Sequence, residues 1–409
     1  MNDHIPQPDL RTEFESARRQ WLRGWVSILL TAWLLVVVGD WVARLRLFRW
    51  QDQWLPTGRP ATSAGTGVGA ARSQLIPAQT GAGLTQMLPG SSLAARYAEF
   101  HPEIVLPFDA WGYVNSSAIA TGTCSVLMVG DSFMVSLGTQ TVAQVVADIG
   151  HIGVYNHARR GSGPFLELRR FLAVDRFDPP PRVVVWNLTA RELGAPLFQR
   201  QAVQAWFDRT LAVDAQPSAA ASRILWDHLA PAVLRNAWPN TSLTAYAARQ
   251  AWRHIEWQVF REWPSDVLGA DDPQFGPMLF YGENLRVLPL LTPEADAPPI
   301  VQTVASVAEG LRDRGITLVV LLVPEKEQIH ARALPLEQQQ ALARGPELLA
   351  AITAGLTSNG IPTVNLLPVF EAATARGQRL YWRDDTHWND AGIRLAAEEL
   401  WREVEPLVK

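Results

Sequence analysis

Val126-Leu127-Met128-Val129-Gly130-Asp131-Ser132-Phe133 is the stretch from which the rest of the chain can be read. Val126 to Val129 is a short, wholly apolar run, as expected of a strand buried on both faces. Gly130-Asp131-Ser132 then turns sharply. From Phe133 onward Val135, Thr139, Val142 and Val146 fall at near-helical spacing. Strand, tight turn and helix together expose a serine at the carboxyl end of a parallel sheet, with backbone N–H groups beside it. A serine hydroxyl is a weak nucleophile at neutral pH. It needs a base within hydrogen-bond reach and donors for the developing oxyanion. Alone, Gly-Asp-Ser is more simply a strand-to-helix turn in which Ser or Asp caps the helix.

A second stretch changes that balance. Asp384-Asp385-Thr386-His387-Trp388 is the one place where a histidine sits beside carboxylates just ahead of a helix. The chain has eight histidines, so position alone singles out none of them. His157 also follows a strand end, but no carboxylate lies beside it, and a buried neutral histidine is its simpler reading. Ser132 is therefore the candidate nucleophile and His387 the candidate general base.

Gly130-Asp131-Ser132 with the late histidine resembles the SGNH (GDSL-type) hydrolase superfamily. Leu380-Tyr-Trp-Arg-Asp-Asp-Thr-His-Trp-Asn-Asp-Ala-Gly392 more narrowly resembles the alginate O-acetyltransferase group, whose members carry an Asp-Thr-His-Trp signature. The resemblance covers residues 120–190 and 300–405, not the N-terminus or the middle. Ordinary SGNH hydrolases place the orienting carboxylate three residues before the histidine, which is Asp384 here. The acetyltransferase group places it two before, which is Asp385. The narrower signature favours Asp385 and leaves Asp384 to cap the turn or meet an arginine. Gly161, five residues after Asn156, matches the superfamily's second block, and its N–H would join that of Ser132 in an oxyanion hole. A loop requiring positive φ is the plainer alternative. The third block, Gly-x-Asn-Asp, is absent. Ala190 stands where its asparagine is expected, and Arg191 follows, near an arginine that the acetyltransferases also carry. Either the oxyanion hole lacks a side-chain amide or Asn187 supplies it. In the alginate acetyltransferases the Asp-Thr-His-Trp segment precedes the serine motif. Here the serine comes first, and a circular permutation reconciles the two orders.

Composition bounds the alternatives. The chain has 409 residues, 48% hydrophobic and 19% charged, enough for one large folded domain or two ordinary ones. A net charge of −4 argues against a general nucleic-acid binder. Cys124 is the single cysteine, so no intramolecular disulfide is possible, and its place before the buried strand reads as core. No Walker loop, GxGxxG motif or metal-ligand cluster is apparent, and no cofactor is expected. The 17 tryptophans suit core and membrane-interface positions, with a minority able to stack on a sugar.

Residues 1–23 are polar. Gly24 to Ala43 is close to the ~20 apolar residues that span a bilayer, flanked by Trp21, Trp25, Trp41 and Trp50. Arginines lie on both sides, so charge leaves the orientation open. The resemblance places the C-terminal part outside the cytoplasm, as a single-pass inner-membrane protein with its catalytic domain in the periplasm. Residues 44–90, rich in Gly, Ala, Ser, Thr and Pro, read as a flexible linker, and 91–123 as an irregular lead-in. Residues 91–409 then form one α/β domain, a doubly wound parallel sheet like that of SGNH hydrolases. Further strands are expected at Ile152–Asn156, Arg182–Trp186, Thr317–Val323 and Pro362–Leu367. Helices are expected near Val301–Arg314, Leu336–Leu356 and Ala391–Val404, the last ended by Pro406. Residues 195–300 break the rhythm and read as a helical, aromatic-rich insertion.

The resemblance implies a membrane-anchored enzyme that moves acetyl groups onto an exopolysaccharide through a Ser-His-Asp acyl-enzyme, supplied by an integral membrane acyltransferase partner. Tyr381, Trp382 and Trp388, flanking His387, are the candidate sugar-binding aromatics; core packing is their plainer role. A polysaccharide acetyl esterase with the same triad and a non-catalytic polysaccharide-binding scaffold are the two rivals.

Overall fold

The computed structural model describes residues 72–76, 78–81, 83–88, 91–109, 111–115, 124–135, 138–173, 177–199 and 266–409, with a few isolated positions elsewhere. The expected membrane span lies outside them, apart from the helical positions Ser27, Thr31, Ala32 and Leu35. Among the described residues no helix is long and apolar enough to cross a membrane. Most of the expected helical insertion, 200–250, also lies outside them. Every element named below belongs to one compact unit, Thr57–Asp227 with Trp252–Lys409.

Five parallel strands form the centre: β1 (Val126–Gly130), β2 (Val154–Ala158), β3 (Val183–Thr189), β4 (Thr317–Val323) and β5 (Thr363–Asn365), in the order β5-β4-β3-β1-β2. Every residue of β1, β2 and β3 is buried. That is why β1 and β3 read as mainly apolar runs rather than as alternating ones, while β2 also buries Asn156 and His157. The order reverses between β1 and β3. In open α/β sheets the crevice beyond the strands' carboxyl ends at such a point is where ligands bind, and Ser132 directly follows β1.

The helix after the turn comes in two pieces, α1 (Ser132–Val135) and α2 (Val142–Gly150). The near-helical spacing across 139–146 hid the break. Thr141 starts α2 afresh with a reciprocal capping box: its hydroxyl accepts from the Gln144 N–H at 3.1 Å, while Gln144 accepts from the Thr141 N–H at 2.7 Å. The chain continues through α3 (Leu166–Ala173), α4 (Pro293–Arg312), α5 (Lys326–Ile329), α6 (Gly345–Ser358), α7 (Leu366–Ala375) and α8 (Asp390–Val408). α2 packs on α8 and α4 on α6. α4 starts eight residues before the expected Val301: Pro293 suits its first position, and Pro298 and Pro299 lie inside the helix rather than before it. The single helix expected over 336–356 is two, broken between Leu342 and Gly345. Pro406 sits inside the last turn of α8 rather than ending it.

Three further segments correct the sequence reading. Arg72–Ile76 pairs antiparallel with Ile104–Phe108, and Gln79–Thr80 with Phe100–His101. The described residues between 72 and 88 are thus not linker, and 91–108 are not irregular. These strands are short edge ribbons whose partners lie 20 to 40 residues away in sequence, beyond the reach of local periodicity. Within the expected helical insertion, Val267–Asp272 and Gly276–Tyr281 form a β-hairpin.

Candidate active site

Gly130 ends β1 against its neighbour. A Cβ there would lie 2.8 Å from Asn187 Cβ and 2.8 Å from Met134 Cγ, so only glycine lets the chain turn tightly against β3. Asp131 fixes the turn, accepting the Phe133 N–H at 3.0 Å and the Asn187 side-chain amide at 3.3 Å. Ser132 begins α1 and remains half-buried.

The late segment forms a closed turn. Tyr381 and Trp388 make an antiparallel bridge, and the Trp382 N–H donates to the His387 carbonyl at 3.1 Å. Within the turn Asp385 Oδ1 accepts both the His387 backbone N–H at 2.9 Å and the His387 Nδ1–H at 2.6 Å. An ionised carboxylate only accepts, so Nδ1 carries the proton and Nε2 is left as an acceptor. Nε2 lies 2.8 Å from Ser132 Oγ, which donates to it. The side chains of His387 and Asp385 are 15% and 7% exposed, so the polar chain runs from the open serine to a sheltered carboxylate. Burial pushes the Asp385 carboxyl up, but His387, its hydrogen bonds and the nearby Lys326 charge outweigh that and hold it below its ordinary value.

Of the two aspartates, Asp385 meets His387. Asp384 turns instead to the N-terminal segments. Its carboxylate bonds His101 Nε2 at 2.8 Å and accepts the Glu99 N–H at 2.9 Å. The N-terminal segments, read as linker and lead-in, are thus the outer wall of this turn. The Leu84 N–H donates to the Asp384 carbonyl at 2.8 Å, and the Arg383 N–H donates to Glu99 at 2.9 Å.

Gly161 lies in the loop after β2 with φ +69° and open space where a Cβ would be. That loop is tied to the serine turn: the Arg159 N–H donates to the Gly130 carbonyl at 3.3 Å and the Ser162 hydroxyl to the same oxygen at 3.1 Å. The Asn187 side-chain amide commits one of its two N–H groups to Asp131. Arg191 joins the end of β3 to the end of β4. Its guanidinium lies 3.4 Å from Asp131 and 3.4 Å from Glu325, above the Phe133 ring. Burial pushes the Glu325 carboxyl up to about 7, with Arg191 opposing.

The three aromatics do not form a sugar platform. Tyr381 and Trp388 are 0% exposed. The Tyr381 hydroxyl donates to the Pro324 carbonyl at 2.5 Å, and the Trp388 indole to the Phe133 carbonyl at 3.0 Å. A ring with no accessible face cannot stack on a sugar; these two clamp the turn to the core. Trp382 is 7% exposed, its ring packed 4.4 Å from that of His101.

Sequence reasoning passed over Glu325-Lys326-Glu327. Three consecutive charged residues one proline beyond a strand as apolar as Thr317–Val323 were the available signal, because ligand crevices form outside the carboxyl ends of such strands. All three are buried, as is His101. Among the described residues no group of three or more His, Cys, Asp or Glu side chains is arranged to hold a metal ion.

The profile of the family described as "SGNH hydrolase-like domain, acetyltransferase AlgX" matches residues 279–408. Ser132 lies outside that match; Lys326, Asp385 and His387 lie within it. A protein described as "Probable alginate O-acetylase AlgJ" from Pseudomonas putida is 29% identical over 154 residues, covering 36% of this chain and 36% of the relative. Proteins of the same description are 26% identical in Pseudomonas syringae pv. tomato, covering 41% of this chain and 43% of theirs, and 27% identical in Pseudomonas aeruginosa, covering 37% of each. The chain thus spans well under half the length of the relatives it matches. Over its C-terminal part, on a parallel α/β sheet that presents Ser132 to His387, this chain resembles the SGNH hydrolase-like acetyltransferases.

Proposed function

We propose that this chain transfers acetyl groups to hydroxyls of an exopolysaccharide through an acyl-enzyme. One observation carries the reading: a serine at the switch point of the sheet, 2.8 Å from an imidazole nitrogen whose opposite nitrogen is 2.6 Å from a carboxylate. Ser132 Oγ attacks the carbonyl carbon of an acetyl donor while its proton passes to His387 Nε2. Collapse of the tetrahedral intermediate breaks the bond to the leaving group, which takes the proton from His387. A sugar hydroxyl then gives its proton to His387 and attacks the acetyl-serine, releasing Ser132. Asp385 holds the imidazole in the productive tautomer and faces the imidazolium that forms in each half-reaction. The N–H groups of Ser132 and Gly161 are the oxyanion donors in this reading. Arg191 and Asn187 hold Asp131 and thereby the turn.

The match to an acetyltransferase family and the names of the relatives favour transfer over hydrolysis. The apolar span at 24–43 would anchor the domain on the periplasmic side of the inner membrane, where an integral membrane acyltransferase would present the donor. The test is purified chain given an activated acetyl ester and an oligosaccharide. Mass spectrometry should find acetylated sugar, and Ser132→Ala should abolish it. Free acetate as the sole product across several oligosaccharides would establish the esterase reading instead. Undiminished polymer acetylation in cells carrying Ser132→Ala would leave only a scaffold.

A further inference from the structure

Lys326 opens α5 immediately beyond the carboxyl end of β4, and it is 0% exposed. A buried ammonium without compensation is costly. Here its hydrogen-bond acceptors, among the described residues, are all backbone carbonyls. Nζ lies 2.7 Å from Leu279 O, 2.6 Å from Trp382 O, 2.9 Å from Arg383 O and 3.1 Å from Asp385 O. Three of the four belong to the turn that carries Asp385 and His387. The fourth belongs to the hairpin strand behind it, whose Leu279 N–H also donates to the Arg383 carbonyl at 2.8 Å.

Carbonyl oxygens converging on one point repel one another. Here the buried donor that meets them is the Lys326 ammonium. A lysine has three N–H donors and a full charge, so one N–H is shared between two oxygens and the charge attracts all four, where a neutral side chain would donate to fewer of them. The turn is too short to reset itself otherwise. Its ends are bridged at Tyr381 and Trp388, and its outer side is fixed by Leu84 and Glu99. The charged groups around Lys326 are Glu327, Asp385, Asp384 and Glu99, with His330 also feeling its field and the Phe280 ring 5.5 Å away.

We infer that Lys326 is the positioning residue of this site: its ammonium gathers the carbonyls of Trp382, Arg383 and Asp385 and so aims His387 at Ser132. The inference rests on the acyl-transfer reading. Lys326 touches neither substrate nor reacting atoms. It acts on the rate through the angle of the imidazole, and loss of its charge costs turnover rather than ester binding. Burial lowers the lysine to about 8, with the surrounding carboxylates opposing. The cage is therefore intact at neutral pH and loses its charge under mildly alkaline conditions.

The experiment uses the full-length chain and p-nitrophenyl acetate. Lys326→Met keeps the length of the stem and removes the charge. Its folded fraction should lose about 10²-fold in kcat, the scale of a 1 Å misplacement of a catalytic group, with KM within about threefold. The hydrogen-bonded His387 N–H resonance in the proton spectrum should move or broaden. A Lys326→Met protein that is folded and has wild-type kcat and an unmoved resonance overturns the inference. If Lys326→Met does not fold, Lys326→Arg carries the test. It keeps the charge but replaces the compact ammonium with a planar fork that does not fit the four carbonyls in the same way, so kcat should fall with KM within about threefold and the His387 N–H resonance should move. A folded Lys326→Arg protein with wild-type kcat and an unmoved resonance overturns the inference equally. Ser132→Ala, run alongside, separates the two claims. If it keeps full turnover, the acyl-enzyme reading fails; if it is inactive while Lys326→Met is fully active, only the role of Lys326 fails.

Discussion

Gly83→Ala tests whether the segment before the α/β domain shapes the site. Gly83 has φ +51°, and a Cβ there would lie 1.8 Å from Asp385 Oδ2, 2.6 Å from its Cγ and 3.1 Å from its Cβ. Real Cβ contacts essentially never fall under 3.0 Å, so the carboxylate must retreat by 1.2 Å, the difference between 3.0 and 1.8 Å. Asp385 cannot retreat freely, because the same carboxylate accepts both His387 N–H groups. Either the imidazole follows it away from Ser132 or the bond to Nδ1 breaks. A displacement of this order costs about 10²-fold in rate, which is about 2.7 kcal/mol of transition-state stabilisation. The left-handed backbone adds about 1–2 kcal/mol of destabilisation. Gly81→Ala is the control. Gly81 has φ +81° and the same backbone penalty, but its Cβ would meet only Thr85 at 3.1 Å and Ala98 at 3.3 Å. Both variants should melt earlier, and only Gly83→Ala should lose kcat on p-nitrophenyl acetate at a temperature where both are folded. A Gly83→Ala enzyme within threefold of wild type, or a Gly81→Ala enzyme equally impaired, would refute this account of Asp385.

Asp385→Asn should leave His387 with the wrong tautomer and cost on the order of 10⁴ in kcat, while Asp384→Asn, which breaks the His101 contact, should cost far less; steady-state kinetics of both variants rank them. Trp388→Ala should destabilise the fold by about 3–5 kcal/mol in denaturant titrations, as expected of a fully buried ring with a satisfied indole N–H; an unchanged midpoint would contradict its core role. His101 is pulled down by burial, but Asp384, Asp385 and Glu99 outweigh that and raise it above 6.5. The stability it contributes is therefore complete below about 6.5 and lost as pH rises through the higher folded value. Thermal melts of wild type should show a decline across that window that His101→Gln lacks. Asp385 carries the opposite sign: held below its ordinary value, it contributes stability above about 3.9 that is lost on stronger acidification. Asp385→Asn should flatten the acid limb of the melting curve.

The α/β class, the serine turn and the paired Asp-x-His were legible because each is encoded within a few residues. An apolar run buried on both faces has one reading, and β1, β3 and β4 emerged close to their expected places. The choice of Asp385 over Asp384 was legible only through the narrower signature, since two adjacent carboxylates before a histidine are equivalent to any local rule. Chain geometry separates them. Asp385 closes onto His387 two residues on, and Asp384 points outward to His101, 283 residues away in sequence. Tryptophans beside a histidine look alike in sequence whether they face solvent or the core. Burial of Trp388 and Tyr381 follows from how the turn docks on Phe133 and Pro324, which no periodicity records.

The sequence by itself determined which local elements form and which residue types meet the demands of acyl transfer, because strand, turn and helix preferences act over a few residues. Only the tertiary structure decided what holds the site together. Gly83, Glu99 and His101 come from segments that look like tether, Leu279 from a hairpin within an unreadable insertion, and Lys326 from the end of a distant strand. Their contacts with the Tyr381–Trp388 turn depend on side chains and carbonyls converging across 55 to 300 residues of chain. Such convergence is set by the packing of the whole unit, and a single segment, such as the charged run at 325–327, shows at most that something is there and not what it meets.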